Sequence, residues 1–260
     1  MFIDTHCHIH DSEFYDAERE KIYRQAIESG VSSLICVGTS IKSSTEALSF
    51  ASTHPNTYAS IGVHPHDTRD GWEEIKYLAT DNQIDGKLVA IGEIGLDYFY
   101  EHSPHHTQLE ALEAQLQIAV SRNLPVIFHV RDAFDDFWSV FDNFSGLKGV
   151  LHSFTDTQAN LDKGFERGLY VGVNGISTFT KDSAQQQMYA NIPVDRMLLE
   201  TDAPFLAPHS HRGKTNQPAY IADVAAFHAN LRGISASQLA DVTTANAKRL
   251  FQLEKFDQIS

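Results

Sequence analysis

The feature that most constrains the fold is an alternation of short β-rich runs with longer amphipathic segments along the whole chain. Parallel strands that are covered by helices on the outside appear in a sequence as short, nearly continuous apolar runs. Eight such runs predict a (β/α)₈ barrel of the TIM-barrel class. The candidate strands are Phe2–Thr5, Ser33–Val37, Tyr58–Val63, Leu88–Gly92, Val126–Phe128, Gly149–Leu151, Leu169–Val173 and Met197–Glu200.

Segments with helical periodicity lie between many of these runs and after the last one. The alternative is an open doubly wound sheet, which usually carries a glycine-rich phosphate loop after its first strand, where this chain has His6-Cys7-His8. No linker-like stretch interrupts the 260 residues, so a single domain over residues 1–260 is expected. The helix candidates are Ala17–Ser29, Thr45–Thr53, His106–Arg122, Asp132–Phe141, Gln158–Arg167, Pro218–Arg232 and Ser235–Leu250, the last with Ser235 and Gln238 as a capping box.

Side chains that bind metals follow several of the candidate strands. His6 and His8 follow the first strand, and residues two apart in extended backbone face the same side. Glu93 is a charge in an apolar run, which is costly to bury unless it is paired or bound to metal. In a parallel barrel the C-terminal ends of all strands meet at one face, where catalytic groups collect. The predicted ligands are His6, His8, Glu93, His129, His152 and Asp202.

This set of donors predicts the kind and number of ions. Neutral imidazoles with carboxylates suit Zn²⁺, Mn²⁺ or similar ions, whereas Mg²⁺ prefers mostly oxygen. Six ligands exceed the three or four of one catalytic zinc, so two divalent metal ions (Zn, Mn or Mg) are expected, with Glu93 as a bridge and water activated for hydrolysis. Asp202 is the predicted catalytic base, and its alternative role is that of a ligand or loop cap only.

Two further residues near the same face are candidates for substrate binding. His64 could contact substrate oxygens, and Arg131 could hold a phosphate with its fork of donors. The alternatives are a structural loop histidine for His64 and a salt bridge from Arg131 to Asp132 or Asp97.

Composition limits the location and the partners of the protein. The net charge of −14 argues against broad electrostatic binding to nucleic acid, although two divalent ions would add about four positive charges in a deep site. The apolar runs are far shorter than the ~20 residues that span a bilayer, and the N-terminus lacks a signal-peptide pattern, so no membrane association is expected. The two cysteines, Cys7 and Cys36, make no disulfide framework, so the cytoplasm is the expected compartment, with Cys7 in a packing role. A monomer is also expected.

Seven stretches of the chain carry a resemblance to a known family. They are Phe2-Ile3-Asp4-Thr5-His6-Cys7-His8, Gly62-Val63-His64-Pro65-His66, Ala90-Ile91-Gly92-Glu93-Ile94-Gly95-Leu96-Asp97-Tyr98, Pro125-Val126-Ile127-Phe128-His129-Val130-Arg131-Asp132, Gly149-Val150-Leu151-His152-Ser153-Phe154, Val173-Asn174-Gly175 and Leu199-Glu200-Thr201-Asp202-Ala203-Pro204. In these stretches the sequence resembles the TatD family of metal-dependent deoxyribonucleases, within the amidohydrolase-like barrel superfamily. The resemblance covers the chain from residue 2 to about residue 250.

The resemblance implies a divalent-metal-dependent hydrolase of phosphodiesters, most readily a deoxyribonuclease with 3′–5′ exonuclease-like activity. It implies the same six residues as ligands, Asp202 as base and His64 near the substrate. The family often reads Arg-Asn-Glu-Pro where this chain has Thr215-Asn216-Gln217-Pro218, so a carboxylate is replaced by the neutral amide of Gln217, and affinity or specificity can differ.

The acidic surface motivates a second hypothesis, a small-molecule amidohydrolase or an aminoacyl-ester hydrolase of the D-aminoacyl-tRNA type on the same metal site. Many amidohydrolases bridge their metals with a carboxylated lysine, whereas Glu93 takes the corresponding position here, which favours the TatD type. The expected partners are therefore nucleic-acid ends or a small phosphodiester or ester substrate. A non-catalytic binding barrel is the third and weakest hypothesis.

Overall fold

The computed structural model describes residues 1–80 and 86–253. Within these residues eight parallel strands form one sheet, and each strand is hydrogen-bonded to the next in sequence order. This arrangement confirms the predicted (β/α)₈ barrel. The strands are β1 (Phe2–Cys7), β2 (Val31–Val37), β3 (Thr57–Ile61), β4 (Leu88–Asp97), β5 (Val126–Arg131), β6 (Gly149–Leu151), β7 (Tyr170–Val173) and β8 (Met197–Leu199).

The segment after β8 closes the barrel against the end of β1. The backbone N–H of His8 donates to the carbonyl of Ala203, and that of Asp202 donates to the carbonyl of His6, both at 2.8 Å. Cys7 and Ala203 form a parallel bridge between these hydrogen bonds. Closure therefore places two groups of predicted ligands, nearly two hundred residues apart in sequence, side by side.

Helices cover the outside of the barrel. Three of them lie outside the predicted helix candidates. Two are short, α1 (Ser12–Tyr15) with four residues and α4 (Ile75–Thr80) with six, and the third, α8 (Ser183–Asn191), buries only Met188 and Tyr189 and so lacks an apolar stripe. The helices are α1 (Ser12–Tyr15), α2 (Arg19–Glu28), α3 (Ile41–Thr53), α4 (Ile75–Thr80), α5 (His105–Arg122), α6 (Phe134–Phe141), α7 (Gln158–Glu166), α8 (Ser183–Asn191), α9 (Ile221–Arg232) and α10 (Ala236–Phe251), with 3₁₀ turns at Asp16–Glu18, Pro65–Asp70, Gly175–Thr178, Val194–Arg196, His209–His211 and Pro218–Tyr220.

Strands β4 and β5 extend beyond their predicted ends, so Glu93 and His129 lie inside strands rather than after them. Gly92 and Gly95 of β4 have φ angles of 152° and 155°, which favour glycine. A Cβ on Gly95 would overlap the carbonyl oxygen of His129. The two glycines let β4 bend and lie close to β5, but in the sequence they look like the end of a strand.

Alternate strand residues feed two separate apolar clusters. In β2, Leu34 and Cys36 pack outward against the helices, while Ile35 and Val37 point into the barrel. In β1 this alternation breaks, because Ile3 belongs to the inner cluster and Cys7 to the outer one. A register shift between Asp4 and Cys7 accounts for the change, since an irregularity of this kind re-aims the side chains that follow it. It turns His6 and His8 toward the interior of the barrel mouth.

Helix α10 closes the N-terminal end of the barrel. Its residues Leu250 and Phe251 are buried in the inner cluster with Ile3. The helix begins with the predicted capping box of Ser235 and Gln238. No helix among residues 1–80 and 86–253 is long and apolar enough to cross a membrane. A single domain over residues 1–260 stays a prediction, and its segments 81–85 and 254–260 lie outside the described residues.

Candidate metal centre

The six predicted ligands meet at the C-terminal mouth of the barrel. His6 lies within β1 and His8 follows that strand, Glu93 and His129 lie within β4 and β5, and His152 and Asp202 lie in the segments after β6 and β8. The set is mostly buried, with His129 as the one partly exposed member. The residues brought together are His6, His8, Glu93, His129, His152 and Asp202.

Glu93 lies at the centre of this group. Its Oε1 lies 3.0 Å from His129 Nδ1 and 3.3 Å from His152 Nε2. Its Oε2 lies 3.3 Å from His6 Nε2. The two oxygens of one carboxylate thus face different imidazoles, which is the arrangement that a bridge between two cations requires.

Asp202 approaches the group from the closing segment of the barrel. Its Oδ1 lies 3.3 Å from His8 Nε2 and 3.5 Å from His6 Nε2. Its backbone has a φ of 58°, in the left-handed region that a residue other than glycine rarely adopts. Such a conformation costs roughly 1–3 kcal/mol and is found where surrounding structure and function fix it. The hydrogen bond from Asp202 N to the His6 carbonyl fixes it here.

The donor atoms fit divalent cations. In three groups of three residues, one ligand atom from each residue lies within 4.8 Å of the others. Imidazole nitrogen and carboxylate oxygen together suit borderline ions such as Zn²⁺ and Mn²⁺. The groups are His6, His8 and Glu93; His6, His152 and Asp202; and His64, Glu93 and His129.

Hydrogen bonds at the outer nitrogens orient His8 and His129. His8 Nδ1 donates to the carbonyl of Val37 at 2.8 Å, which leaves Nε2 facing the centre. His129 Nε2 donates to Asp97 Oδ2 at 2.9 Å, which leaves Nδ1 facing Glu93. Metal-binding histidines are held in this way by carbonyls or carboxylates, which fix both tautomer and ring orientation.

Asp97 holds the ring of His129 in place through the hydrogen bond to Nε2. Sequence analysis named Asp97 only as an alternative salt-bridge partner of Arg131. Its Oδ1 accepts the backbone N–H groups of Phe99 and Tyr100, both at 3.0 Å. Its Oδ2 also accepts a hydrogen bond from His66 Nε2 at 3.0 Å. Burial alone would raise the pKa of Asp97, but the hydrogen bonds from His129 and His66 hold it well below its usual range. Asp97 is therefore a fixed anion behind the centre.

Glu200 orients His152 as Asp97 orients His129, and sequence analysis missed it. Its Oε1 accepts hydrogen bonds from His152 Nδ1 at 3.1 Å and from the backbone N–H of Ser153 at 2.7 Å. A Cβ on Gly172 would overlap the carboxylate of Glu200, so the glycine leaves the space that the carboxylate fills. The available signal was a buried charge at the end of an apolar strand, the same signal that identified Glu93.

His6 is held differently. Its Nδ1 is buried and has no hydrogen-bond partner among the described residues. Its ring stacks on that of His152, with centroids 3.7 Å apart and planes 19° from parallel. Stacking on His152 therefore supports this imidazole, whereas His8 and His129 have a hydrogen-bonded anchor.

The electrostatics of the centre favour positive charge. Burial alone would raise the pKa of Glu93, but His152 and His6 hold it well below its usual range. Burial alone would lower the pKa of His152, but the carboxylates of Glu200 and Glu93 raise it to about 10. Buried carboxylates thus attract cations to this point, and a metal ion can take the place of the protons.

A cavity of about 610 Å³ opens above the centre and is lined by both predicted substrate-binding residues. His64 lies deep in it, with Nε2 3.6 Å from Glu93 Oε1. Arg131 lies at its edge, with Cζ 3.9 Å from the ring centroid of Phe99 and 4.8 Å from that of Tyr100. Among the described residues Arg131 forms no ion pair, so the salt bridges considered as its alternative are not seen.

The segment that departs from the family pattern braces the loop after β8. The side-chain amide of Asn216 donates to the carbonyls of Thr201 and Phe205 at 2.8 and 2.6 Å, and the backbone carbonyl of Asn216 accepts from the Tyr15 hydroxyl at 2.7 Å. Gln217 is half-buried and is not among the described residues that line the cavity. Gln217, which stands where the family often has a glutamate, therefore lies next to Asn216 and outside the cavity wall.

Comparison with known proteins agrees with this geometry. A family model described as TatD related DNase matches residues 3–252. The chain belongs to the TatD family. The metal-dependent hydrolase YabD of Bacillus subtilis, described as uncharacterized, is 35% identical over 255 residues, which are 97% of this chain and 100% of YabD. A protein of Citrobacter rodentium named 3′-5′ ssDNA/RNA exonuclease TatD is 36% identical over 245 residues, 90% of this chain and 92% of the relative.

Solved structures show the same fold. The crystal structure of the TatD homologue YjjV from Escherichia coli K12 superposes with a TM-score of 0.89 at 29% identity, covering 96% of this chain and 98% of YjjV. The predicted TatD family, barrel fold and enzyme class are thereby confirmed, and this protein is a metal-dependent hydrolase of the family.

Proposed function

We propose that this TatD-family protein is a divalent-metal-dependent deoxyribonuclease with 3′–5′ exonuclease-like activity. The observation that carries the proposal is the placement of Glu93 between two sets of imidazoles on the floor of an open cavity. Two closely spaced cations are suited to phosphodiesters, since they can stabilise both the attacking and the leaving oxygen. The exonuclease named among the relatives supports the same substrate class.

Two divalent ions, Zn, Mn or Mg, are proposed to bind around Glu93. His6, His8 and Asp202 would hold one ion, and His129 and His152 the other. When bound, the ions polarise the phosphodiester and increase the acidity of water. Asp97 and Glu200 keep the imidazoles of His129 and His152 in orientation.

Asp202 is proposed as the general base. Its carboxylate lines the cavity while Oδ1 touches the imidazoles of His6 and His8, so it can take a proton from water held at the same place. His64 is proposed to contact substrate oxygens beside Glu93, and Arg131 to contact a phosphate at the rim.

The experiment is a metal-replete activity screen of single- and double-stranded DNA and RNA oligonucleotides, labelled at either the 5′ or the 3′ end. We expect stepwise release of nucleotides from the 3′ end, which is lost with chelator and in Asp202→Asn. Asp241→Asn is the matched control, because Asp241 is exposed at the opposite end of the barrel and should leave activity unchanged. Intact oligonucleotides with metal-loaded protein would reject the nuclease assignment.

The net charge of −14 favours one competing function, hydrolysis of a small amide, lactone or aminoacyl ester on the same centre. The same screen should therefore include phosphomonoesters, lactones and aminoacyl esters. Cleavage of one of these with no action on oligonucleotides would assign the competing function. A cytoplasmic location and a monomeric state stay predictions that fractionation and light scattering would test.

A further inference from the structure

Two pairs of exposed aromatic rings lie at the edge of the cavity, and none of the four residues is among the predicted metal ligands. Phe14, Phe205 and Tyr100 line the cavity, and Phe99 lies beside Tyr100. One pair is Phe14 and Phe205, whose ring centroids lie 5.2 Å apart in an edge-to-face arrangement. The other is Phe99 and Tyr100, with centroids 4.8 Å apart and planes nearly perpendicular. The exposed fractions are 51% for Phe14, 45% for Phe205, 53% for Phe99 and 49% for Tyr100. Large apolar side chains exposed together beside a site mark a surface that binds something.

The barrel places these pairs on opposite sides of the mouth. Phe14 follows β1 and Phe205 follows β8, and these strands are neighbours at the point of closure. Phe99 and Tyr100 follow β4, which lies across an eight-stranded ring from them. A chain that enters the cavity over one pair and leaves over the other must pass above Glu93.

One ring of each pair lies next to a histidine of the cavity. The ring of Phe205 meets that of His8 edge-on, with centroids 6.1 Å apart. The ring of Tyr100 meets that of His66 at 5.5 Å, and His66 is bound to Asp97. Phe205 therefore lies beside a predicted ligand and Tyr100 beside a partner of Asp97, rather than on a remote surface.

We propose that the two pairs are stacking subsites for the unpaired bases on either side of the scissile phosphodiester, an inference that rests on the proposed nuclease function. Bases stack on aromatic side chains without regard to sequence, because every base has a π face. The guanidinium of Arg131 lies over both Phe99 and Tyr100, so it adds a positive charge at the edge of this subsite that can bind a phosphate.

Stacking also explains how an acidic protein can bind nucleic acid. With a net charge of −14, the protein offers little of the basic surface that follows a phosphate backbone. Stacking needs no such surface, and it selects single strands because paired bases are already stacked in a duplex. The stacking contribution to binding should therefore vary less with salt than the phosphate contacts do.

The test compares an oligonucleotide carrying bases with one of the same length whose two 3′-terminal nucleotides are abasic. We expect Phe205→Ala and Tyr100→Ala each to raise KM for the normal strand roughly 10-fold at nearly unchanged kcat, while KM for the abasic strand stays the same. Phe205→Trp and Tyr100→Phe should restore the wild-type KM. Tyr77→Ala is the control, because Tyr77 is 66% exposed on α4, away from the residues that line the cavity.

Equal losses on normal and abasic strands, or no change in KM for either alanine variant, would overturn the stacking subsites. If the wild-type protein cleaves no oligonucleotide, the proposed function fails separately. Fluorescence anisotropy of Asp202→Asn with the two labelled strands then decides the inference. Tighter binding of the normal strand that is lost in Phe205→Ala supports the subsites, and equal binding of both strands rejects them.

Discussion

At the N-terminal end of the barrel, apolar strand residues meet Leu250 and Phe251 of α10, whereas at the C-terminal end the same strands present imidazoles and carboxylates. The first end is an apolar core. The second contains a register shift in β1, two glycines of β4 with positive φ angles, and Asp202 with its backbone in the left-handed region. The comparison teaches that one sheet can stabilise the fold at one end and hold a strained, charged site at the other. Substitutions at the N-terminal end should therefore lower stability and spare activity, and those at the C-terminal end should lower activity and spare stability.

The largest expected effect comes from Asp202→Asn. Removal of a general base costs typically 10²- to 10⁴-fold in rate, so we expect kcat to fall by about that factor. The melting temperature should change little, because the asparagine side chain keeps its shape and tolerates the same left-handed backbone. Steady-state kinetics and thermal denaturation measure the two effects. A large loss of stability with activity retained would contradict the division between the two ends.

Leu250→Ala should have the opposite effect. Leu250 is buried in the inner cluster, and replacing a buried leucine by alanine costs about 2–5 kcal/mol in the free energy of unfolding. We expect kcat of the folded enzyme to stay at the wild-type value, because the metal centre is at the other end. Chemical denaturation with activity measured below the transition checks both statements. Leu231→Ala, at an exposed leucine of α9, is the matched control and should be nearly neutral.

Asp97→Asn tests whether the orientation of His129 matters. Loss of a carboxylate that holds a metal-binding histidine costs typically 10- to 100-fold in metal affinity or activity. We expect weaker metal binding by calorimetry, with a smaller fall in kcat at saturating metal. The control is Asp142→Asn, which breaks a surface pair with Arg167. Wild-type metal affinity in Asp97→Asn would show that Glu93 alone positions this imidazole.

Gly172→Ala should give the smallest effect. The added methyl group overlaps the carboxylate of Glu200 and pushes it away from His152. Neither Glu200 nor His152 is itself substituted. We therefore expect a loss of metal affinity of roughly tenfold or less, below that of Asp97→Asn. Gly86→Ala is the control, because a Cβ at Gly86 meets no atom of the described residues within 4 Å. An affinity equal to that of the wild type would indicate that Glu200 has room to adjust.

The sequence could predict the barrel and the convergence of the six residues, because strand ends are readable from apolar runs and a parallel barrel brings those ends to one face. It could not predict that Glu93 lies within β4, since Gly92 and Gly95 look like the end of a strand, and it placed the end of β5 before His129. The register shift that turns His6 inward is equally invisible, because it depends on pairing between strands.

The supporting residues were harder to predict than the ligands. Asp97 and Glu200 act through His129 and His152, and only three-dimensional structure shows which carboxylate faces which nitrogen. Gly172 matters through the space that it leaves, which no side-chain pattern reveals. The depth of His64 in the cavity, within 3.6 Å of Glu93, also depends on how β3 and β4 pack.

The measurement that decides most is the number of metal ions bound per chain in the metal-reconstituted protein and in Glu93→Gln, by elemental analysis and calorimetry. Glu93 touches both sets of imidazoles, so we expect two ions per chain in the wild type and a loss of at least one ion in the variant. Fewer than one ion per chain in the wild type under saturating supply, or an unchanged ion content in Glu93→Gln, would contradict a two-ion centre bridged by Glu93.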